Sequence, residues 1–404
     1  MSSQQEIIRP SHPQKFFERL LIFLSLLLFL YSFTQVDLGL TLTRASIFAT
    51  IQHAFQYIGF FNRPLSTFLL TILIIGFTTT YFMYLLFIKR QPVSKAHLWR
   101  TIFIVSGVLA LSYTAFSYDI FNYIFDAKII TFYHQNPYLH KALDFPGDPM
   151  LSFMHWTHRT YPYGPFWLGI SLPFSYIGLQ FFLPTYFLFK GLALMGYLLT
   201  VYSISRILQM VSPKHETLGI AFFALNPLVL IESLVSGHND IAMMGVGMFG
   251  FHLFLKKKYF LSFIILIFSA GIKFATGFII PLFALLYVFR RKNTQFSWES
   301  IFFSLLIAMI ASFGAMMIRS GQFQPWYLLV ILPFASLLSR HRYVLIPFFI
   351  ISFGALLNYL PYFYSGNWDD PIPSILLQIN SITLLMACIS GVVFYLRDKK
   401  IDTR

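Results

Sequence analysis

The sequence is short of acid, cysteine and charge, and each shortage closes off a class of protein. Charged residues make up 11% of the 404 and hydrophobic residues 57%, against roughly 25% charged in soluble domains. That balance excludes a soluble globular enzyme. The single Cys388 has no intramolecular disulfide partner, so no disulfide framework is available. There is no phosphate-binding Gly-rich loop and no dinucleotide fingerprint, so no nucleotide fold is expected. His134, His140, His155 and His158 are close in sequence but lack a recognised metal-ligand spacing; they read as solvated loop residues. The first apolar run is followed by no A-x-A-like cleavage site and is expected to stay as a signal-anchor.

What the sequence does have is apolar runs of about the 20 residues that cross a bilayer. Candidate spans are 18–36, 67–88, 98–117, 184–206, 217–234, 240–255, 259–273, 275–289, 299–318, 326–339, 343–361 and 374–396. The expected fold is all-α: a polytopic helical membrane protein of about 12 transmembrane helices (11–13), with residues 1–404 as one integral membrane domain. The formal net charge is +14. It gathers in tracts between the runs: Lys89-Arg90, Lys256-Lys257-Lys258, Arg290-Arg291-Lys292, Arg340-His341-Arg342 and Arg397-Asp398-Lys399-Lys400. That is the positive-inside pattern, so topology rather than a nucleic-acid partner accounts for the charge. With Arg9, Lys15 and Arg19 inside, both termini are expected in the cytoplasm of a multi-pass cell-membrane protein. Residues 165–182 are apolar enough to span, yet counting them inverts four basic tracts. They are expected to form a re-entrant or interfacial helix. The runs on either side of Lys273 must turn back there.

This topology collects the polar motifs on the outer face. The loop 118–164 opens with Asp119-Ile120-Phe121-Asn122-Tyr123-Ile124-Phe125-Asp126. Its apolar residues fall on one side at helical spacing, and Asp119, Asn122, Tyr123 and Asp126 on the other. A helix of this kind lies on a membrane surface with its carboxylates in water. Asp119, just outside a span, reads either as a solvated residue of that helix or as a general base whose pKa is tuned upward by its partly apolar setting. Asp126 is two turns on, about 10 Å away, too far to grip the same atom. It is expected to support the site, paired with Lys128 or Arg159.

Gly237-His238-Asn239-Asp240 follows Asn226-Pro227 and Glu232. It reads as a turn with a helix cap at Asp240, or as His238 and Asn239 donating to an anionic or sugar ligand at a helix start. Lys273, deep in apolar sequence, either snorkels or pairs with a phosphate. Trp326-Tyr327 reads as an interfacial belt. Tyr161-Pro162-Tyr163-Gly164-Pro165 and Asn136-Pro137-Tyr138 read as turns, the former also as the wall of an acceptor groove. Asp369-Asp370 is a loop or a second acidic site.

Taken in order, Asp119 through Tyr123, Asn136-Pro137-Tyr138, Tyr163-Gly164-Pro165, Asn226-Pro227-Leu228 through Glu232, Gly237 through Asp240, Lys273 and Pro325-Trp326-Tyr327 resemble membrane glycosyltransferases of the GT-C superfamily. The resemblance is to the prokaryotic polyprenyl-phosphate-mannose-dependent α-mannosyltransferases and covers roughly residues 100–340. It implies an extracytoplasmic active site, an acidic base in an outer loop, and a lipid-phosphate sugar donor that needs no nucleotide fold. Two features depart from the family pattern. In many members the acid follows the first span, which makes Asp37 the rival base. No soluble C-terminal domain is expected after the last span.

The expected activity is transfer of a hexose, mannose by the resemblance, from a polyprenyl-phosphate donor to a glycan or lipid-linked acceptor. The transfer is expected to be inverting, with Asp119 as base. His238, Asn239 and Lys273 meet the donor phosphate. Asp126, Asn122, Tyr163, Asp240, Glu232, Trp326 and Tyr327 support the site, and the prenyl tail lies among membrane lipid. No cofactor is required by the sequence, and a divalent metal is an unsupported option. The alternatives are a secondary transporter or lipid flippase, which would carry internal repeats, and a transferase of another lipid-linked group.

Overall fold

The computed structural model describes residues 9–42, 45–292, 294 and 296–402. Among the described residues the secondary structure is helical throughout. The helices are α1 (His12–Ser32), α2 (Ser46–Gln56), α3 (Arg63–Arg90), α4 (Lys95–Ala110), α5 (Asp119–Thr131), α6 (Pro165–Ile177), α7 (Phe182–Val211), α8 (Glu216–Ala224), α9 (Pro227–Leu230), α10 (Asp240–Leu255), α11 (Tyr259–Ile272), α12 (Ile280–Arg291), α13 (Trp298–Ser320), α14 (Leu332–Leu337), α15 (Arg342–Leu357), α16 (Tyr359–Ser365) and α17 (Ile372–Asp402).

Seven described helical stretches are long and apolar enough to cross a membrane, or eight if α8 and the following Pro227–Val235 segment, bent by 54°, count as one. That makes a polytopic helical membrane protein. The expected number near twelve is not reached by this measure, because several expected spans are short or broken. Asp240–Leu255 and Tyr259–Ile272 are apolar but shorter than the crossing length. Residues 326–339 divide into a 3-10 turn, Pro325–Val330, and the six-residue α14. Pro227, Pro325 and Pro333 each remove a backbone donor, which is why these runs break.

α7, α8 and α10 form the centre of the bundle. α10 is apolar on every side, as a helix enclosed by others must be, and it packs on both α7 and α11. The 30 residues of α7 run about 45 Å and join two differently furnished ends. Near its start, Phe182 meets Phe121 and Phe153. Near its end, Ser205 and Gln209 hold Glu216, which pairs with Lys95. The basic tracts share that second end: Lys89 donates to the Arg340 carbonyl, and Arg340 pairs with Glu299. α6 has 13 residues, about 20 Å, short of a hydrocarbon core of about 30 Å.

One expectation fails here. α5 forms where the spacing placed it, but its polar stripe does not face water. Asp119, Asn122, Tyr123 and Asp126 are all buried. The chain from 132 to 164 wraps α5: Phe145 packs on Phe125 and Phe153 on Phe121 on its apolar side, while on the polar side Tyr163 packs on Tyr123 and Arg159 faces Asp119. The lid is tied down by the Lys128–Asp148 ion pair. Lys128 is therefore not the partner of Asp126.

Candidate active site

Asp119 is the first residue of α5. Its amide donates to Ser117 Oγ at 3.2 Å, and this fixes the carboxylate at the helix start, where the dipole favours negative charge. One oxygen lies 3.8 Å from Arg159 Nη2. The other lies 3.4 Å from His238 Nδ1. On the far side of the imidazole, Nε2 is 3.3 Å from Glu232 Oε2, and Glu232 Oε1 accepts from the Tyr359 hydroxyl. A carboxylate, an imidazole and a second carboxylate thus lie in line. Neither ring nitrogen has an aligned hydrogen bond within the protein, so the contacts are ionic. The Trp326 indole stacks on the imidazole at 4.3 Å between centroids and 18° between planes. Trp326 therefore does more than mark an interface.

The backbone explains how Glu232 and His238 meet. Ile231–Val235 closes with wide i→i+5 bonding. Gly237 then takes φ +74°, a left-handed turn that only glycine adopts cheaply. The His238 amide bonds back to the Glu232 carbonyl at 3.1 Å. The next residue, Asn239, caps α10 without using its side chain. Asp240 is therefore the first helical residue rather than the cap.

Asp240 is fully buried and accepts twice from Lys273 Nζ, at 2.9 and 2.8 Å. Lys273 sits in extended conformation at the end of α11, with Tyr163 and Tyr327 rings 5.9 and 5.8 Å from its charge. Its charge is met by Asp240, a pairing that neither the snorkelling nor the phosphate reading named. Tyr163 reaches it because Gly164 presses onto α11: a Cβ there would lie 2.0 Å from the Gly271 carbonyl oxygen.

Charge follows from these contacts. Burial acts to raise the Asp119 carboxyl. Contact with His238 and the fields of Arg159 and Lys273 outweigh it and hold the pKa below the usual carboxylate range, the reverse of the upward tuning expected from its apolar setting. Burial acts to lower His238, but its two carboxylates push it up to about 9. At neutral pH the centre therefore holds an imidazolium between two carboxylates. Asp126 goes the other way: burial, opposed by Arg159 and reinforced by Asp119, raises it to about 8. It has no ion-pair partner within 4 Å among the described residues, so neither expected pairing forms.

The expected residues mostly come together: Asp119, Glu232, His238, Asp240, Lys273, Tyr163, Trp326 and Tyr327 form one connected group. Buried beside them, Asn122 Oδ1 and both polar atoms of the Asn239 side chain have no partner within the protein. Asp37 stands apart. Its carboxylate accepts from the Gly39 amide at 2.8 Å and from the hydroxyl of Tyr118, the residue before Asp119, at 3.3 Å. Asp369 and Asp370 are exposed in the loop before α17. No group of three or more His, Cys, Asp or Glu among the described residues is arranged to hold a metal ion.

Three contributors escaped the sequence reading in these roles. Arg159, expected beside Asp126, faces Asp119 instead and is the site's half-exposed cation. Tyr359 carried no local signal. Lys190, another lysine inside an apolar run, was visible by the argument that singled out Lys273.

The fold and this centre define an integral helical membrane protein with a buried ionic site built around Asp119 and His238. The chain belongs to the family described as alpha-(1->6)-mannopyranosyltransferase, N-terminal domain, which matches residues 29–289, more than half its length. It is 25% identical over 185 residues to alpha-(1->6)-mannopyranosyltransferase A of Corynebacterium glutamicum. That match covers 45% of this chain and 37% of the relative, so the chain spans well under half of the relative it resembles. No solved structure matches it.

Proposed function

We propose that this protein is a membrane glycosyltransferase that moves a hexose, mannose by its family, from a polyprenyl-phosphate donor to a glycan or lipid-linked acceptor. The observation that carries the chemistry is the state of Asp119: ionised, with a side chain 12% exposed, beside a half-exposed arginine. Glu232 and Asp240 are fully buried and engaged with His238 and Lys273. Asp126 is protonated below about pH 8. That leaves one available carboxylate base, which suits a single inverting displacement better than a two-carboxylate retaining route.

In that reaction the acceptor hydroxyl gives its proton to Asp119 and its oxygen bonds to the anomeric carbon. The bond from that carbon to the phosphate oxygen breaks, and polyprenyl phosphate leaves with the electron pair. Negative charge grows on the phosphate. Arg159 is the cation placed to meet it, since it is half-exposed and 3.8 Å from Asp119, whereas Lys273 is bonded to Asp240 and His238 is buried between two carboxylates; fixed charge at that point is where catalysis gains most. The Asn239 side-chain amide and Asn122 Oδ1, buried without a partner within the protein, are suited to sugar hydroxyls.

The site end is proposed as extracytoplasmic, and both termini as cytoplasmic, because the basic tracts gather at the other end. On this reading 118–164 is the catalytic loop, α6 does not cross, and the short and broken segments bring the membrane passes to about twelve. Family membership favours a transferase over a transporter. The test is incubation of purified protein with labelled polyprenyl-phosphate-mannose and a mannoside acceptor. One hexose added with inversion supports the reading. Substrate flux in liposomes without a covalent product overturns it.

A further inference from the structure

Lys190 is 1% exposed in the first third of α7, about 12 Å along the helix from Phe182. A lysine inside a membrane bundle is costly and calls for a partner. Among the described residues it has no carboxylate partner. Its Nζ instead donates to the Leu234 carbonyl and, at 2.8 Å, to that of Val235. The next carbonyl, Ser236, accepts from Thr114 Oγ1 at 3.2 Å. Three consecutive carbonyls at a helix end, which would otherwise be orphaned, are thus taken by side chains from α7 and from the chain after α4.

The place matters more than the satisfaction. These carbonyls end the wide turn that carries Glu232 at one side and His238 at the other. The negative end of a helix dipole is where a cation is most useful. The lysine stem also braces Gly237: a Cβ there would lie 3.8 Å from Lys190 Cδ and 3.2 Å from Ile120 Cδ1. Ile120 adjoins Asp119. The turn bearing His238 is therefore clamped between Lys190 and the start of α5.

We propose that Lys190 is a positioning residue, whose side-chain nitrogen clasps the 234–235 carbonyls and sets the His238 imidazole between Asp119 and Glu232. The proposal rests on the transferase reading for its meaning but not for its test. The groups facing the imidazole are Asp119, Glu232 and the Trp326 ring, with Arg159 beyond Asp119. Imidazolium quenches a stacked indole, so the titration of His238 reads out in the fluorescence that wild type has and Trp326→Phe lacks.

With the clasp intact, this signal titrates on the alkaline side, near 9. In Lys190→Met the imidazole drifts from its carboxylates, and the midpoint falls by about one unit or more toward the ordinary histidine value of about 6.5. Lys190→Arg, which keeps charge and donors, restores most of the shift. Lys190→Gln, with a donor but no charge, carries the same test should the methionine variant not fold. An unmoved midpoint in folded Lys190→Met or Lys190→Gln overturns the proposal, since a purely stabilising lysine lowers melting temperature and leaves the titration alone. A shifted midpoint in a protein with no transfer activity keeps the clasp and removes the transferase reading.

Discussion

Replacing His238 by glutamine tests how the site holds its base. Asp119 Oδ2 and His238 Nδ1 are 3.4 Å apart. At an effective dielectric constant of about 20, unit charges at that distance attract by about 5 kcal/mol, an upper limit of roughly 3.6 pKa units at 1.36 kcal/mol each. Glutamine keeps a neutral donor, and Arg159 remains, so the expected rise in the Asp119 pKa is about 1–3 units. The sign follows from the direction of the native shift. A carboxyl held low stays ionised as pH falls, and removing its cation makes it take a proton at higher pH. The assay is kcat/KM for mannosyl transfer from pH 4 to 8. Wild type should stay level well into the acid range. His238→Gln should bend downward about 1–3 units earlier, falling tenfold per unit below the bend. An acid limb in the same place for both proteins refutes the claim that the imidazolium sets the charge of Asp119.

Other perturbations separate the remaining roles. Asp126→Asn should keep activity within a few-fold at pH 7, because the native carboxyl is protonated below about 8. Its raised folded pKa stabilises the protein at low pH and loses that contribution as pH rises through about 8. Melting temperatures from pH 6 to 9 should therefore fall more steeply for wild type than for the variant. Lys273→Met strands the fully buried Asp240 and should cost about 3–5 kcal/mol of stability. Adding Asp240→Leu should recover most of it in detergent melts, whereas a free phosphate ligand would leave stability unchanged. Arg159→Gln should lower kcat by about 100- to 1,000-fold with little change in melting temperature; unchanged kcat removes it from the phosphate.

The membrane character was legible because apolar length is written directly in the chain, and the basic tracts divide its two ends. The site was partly legible. Asp119, His238 and Lys273 are polar groups in apolar surroundings, and such groups are rare enough to stand out. Their pairings were not legible. Whether Lys273 meets a phosphate or Asp240 depends on how α10 and α11 pack, and two residues 33 apart carry no local sign of contact. The exposure of α5 was misread because its helical period describes one helix alone, while its polar face is covered by Tyr163, Arg159 and His238, which come from elsewhere in the chain. Tyr359 closes the far end of the centre from 127 residues beyond Glu232, again a product of packing. Broken segments such as Pro325–Val330 and α14 were drawn as whole spans because hydropathy averages over the prolines that interrupt them.

The central claim is that Asp119, and not Asp37, takes the acceptor proton. Purified Asp119→Asn and Asp37→Asn proteins, matched for folding by melting temperature, would each be assayed for transfer from labelled polyprenyl-phosphate-mannose. The account predicts that Asp119→Asn loses about 100-fold or more in kcat while Asp37→Asn stays within a few-fold of wild type. Wild-type turnover by Asp119→Asn together with an inactive Asp37→Asn would contradict it.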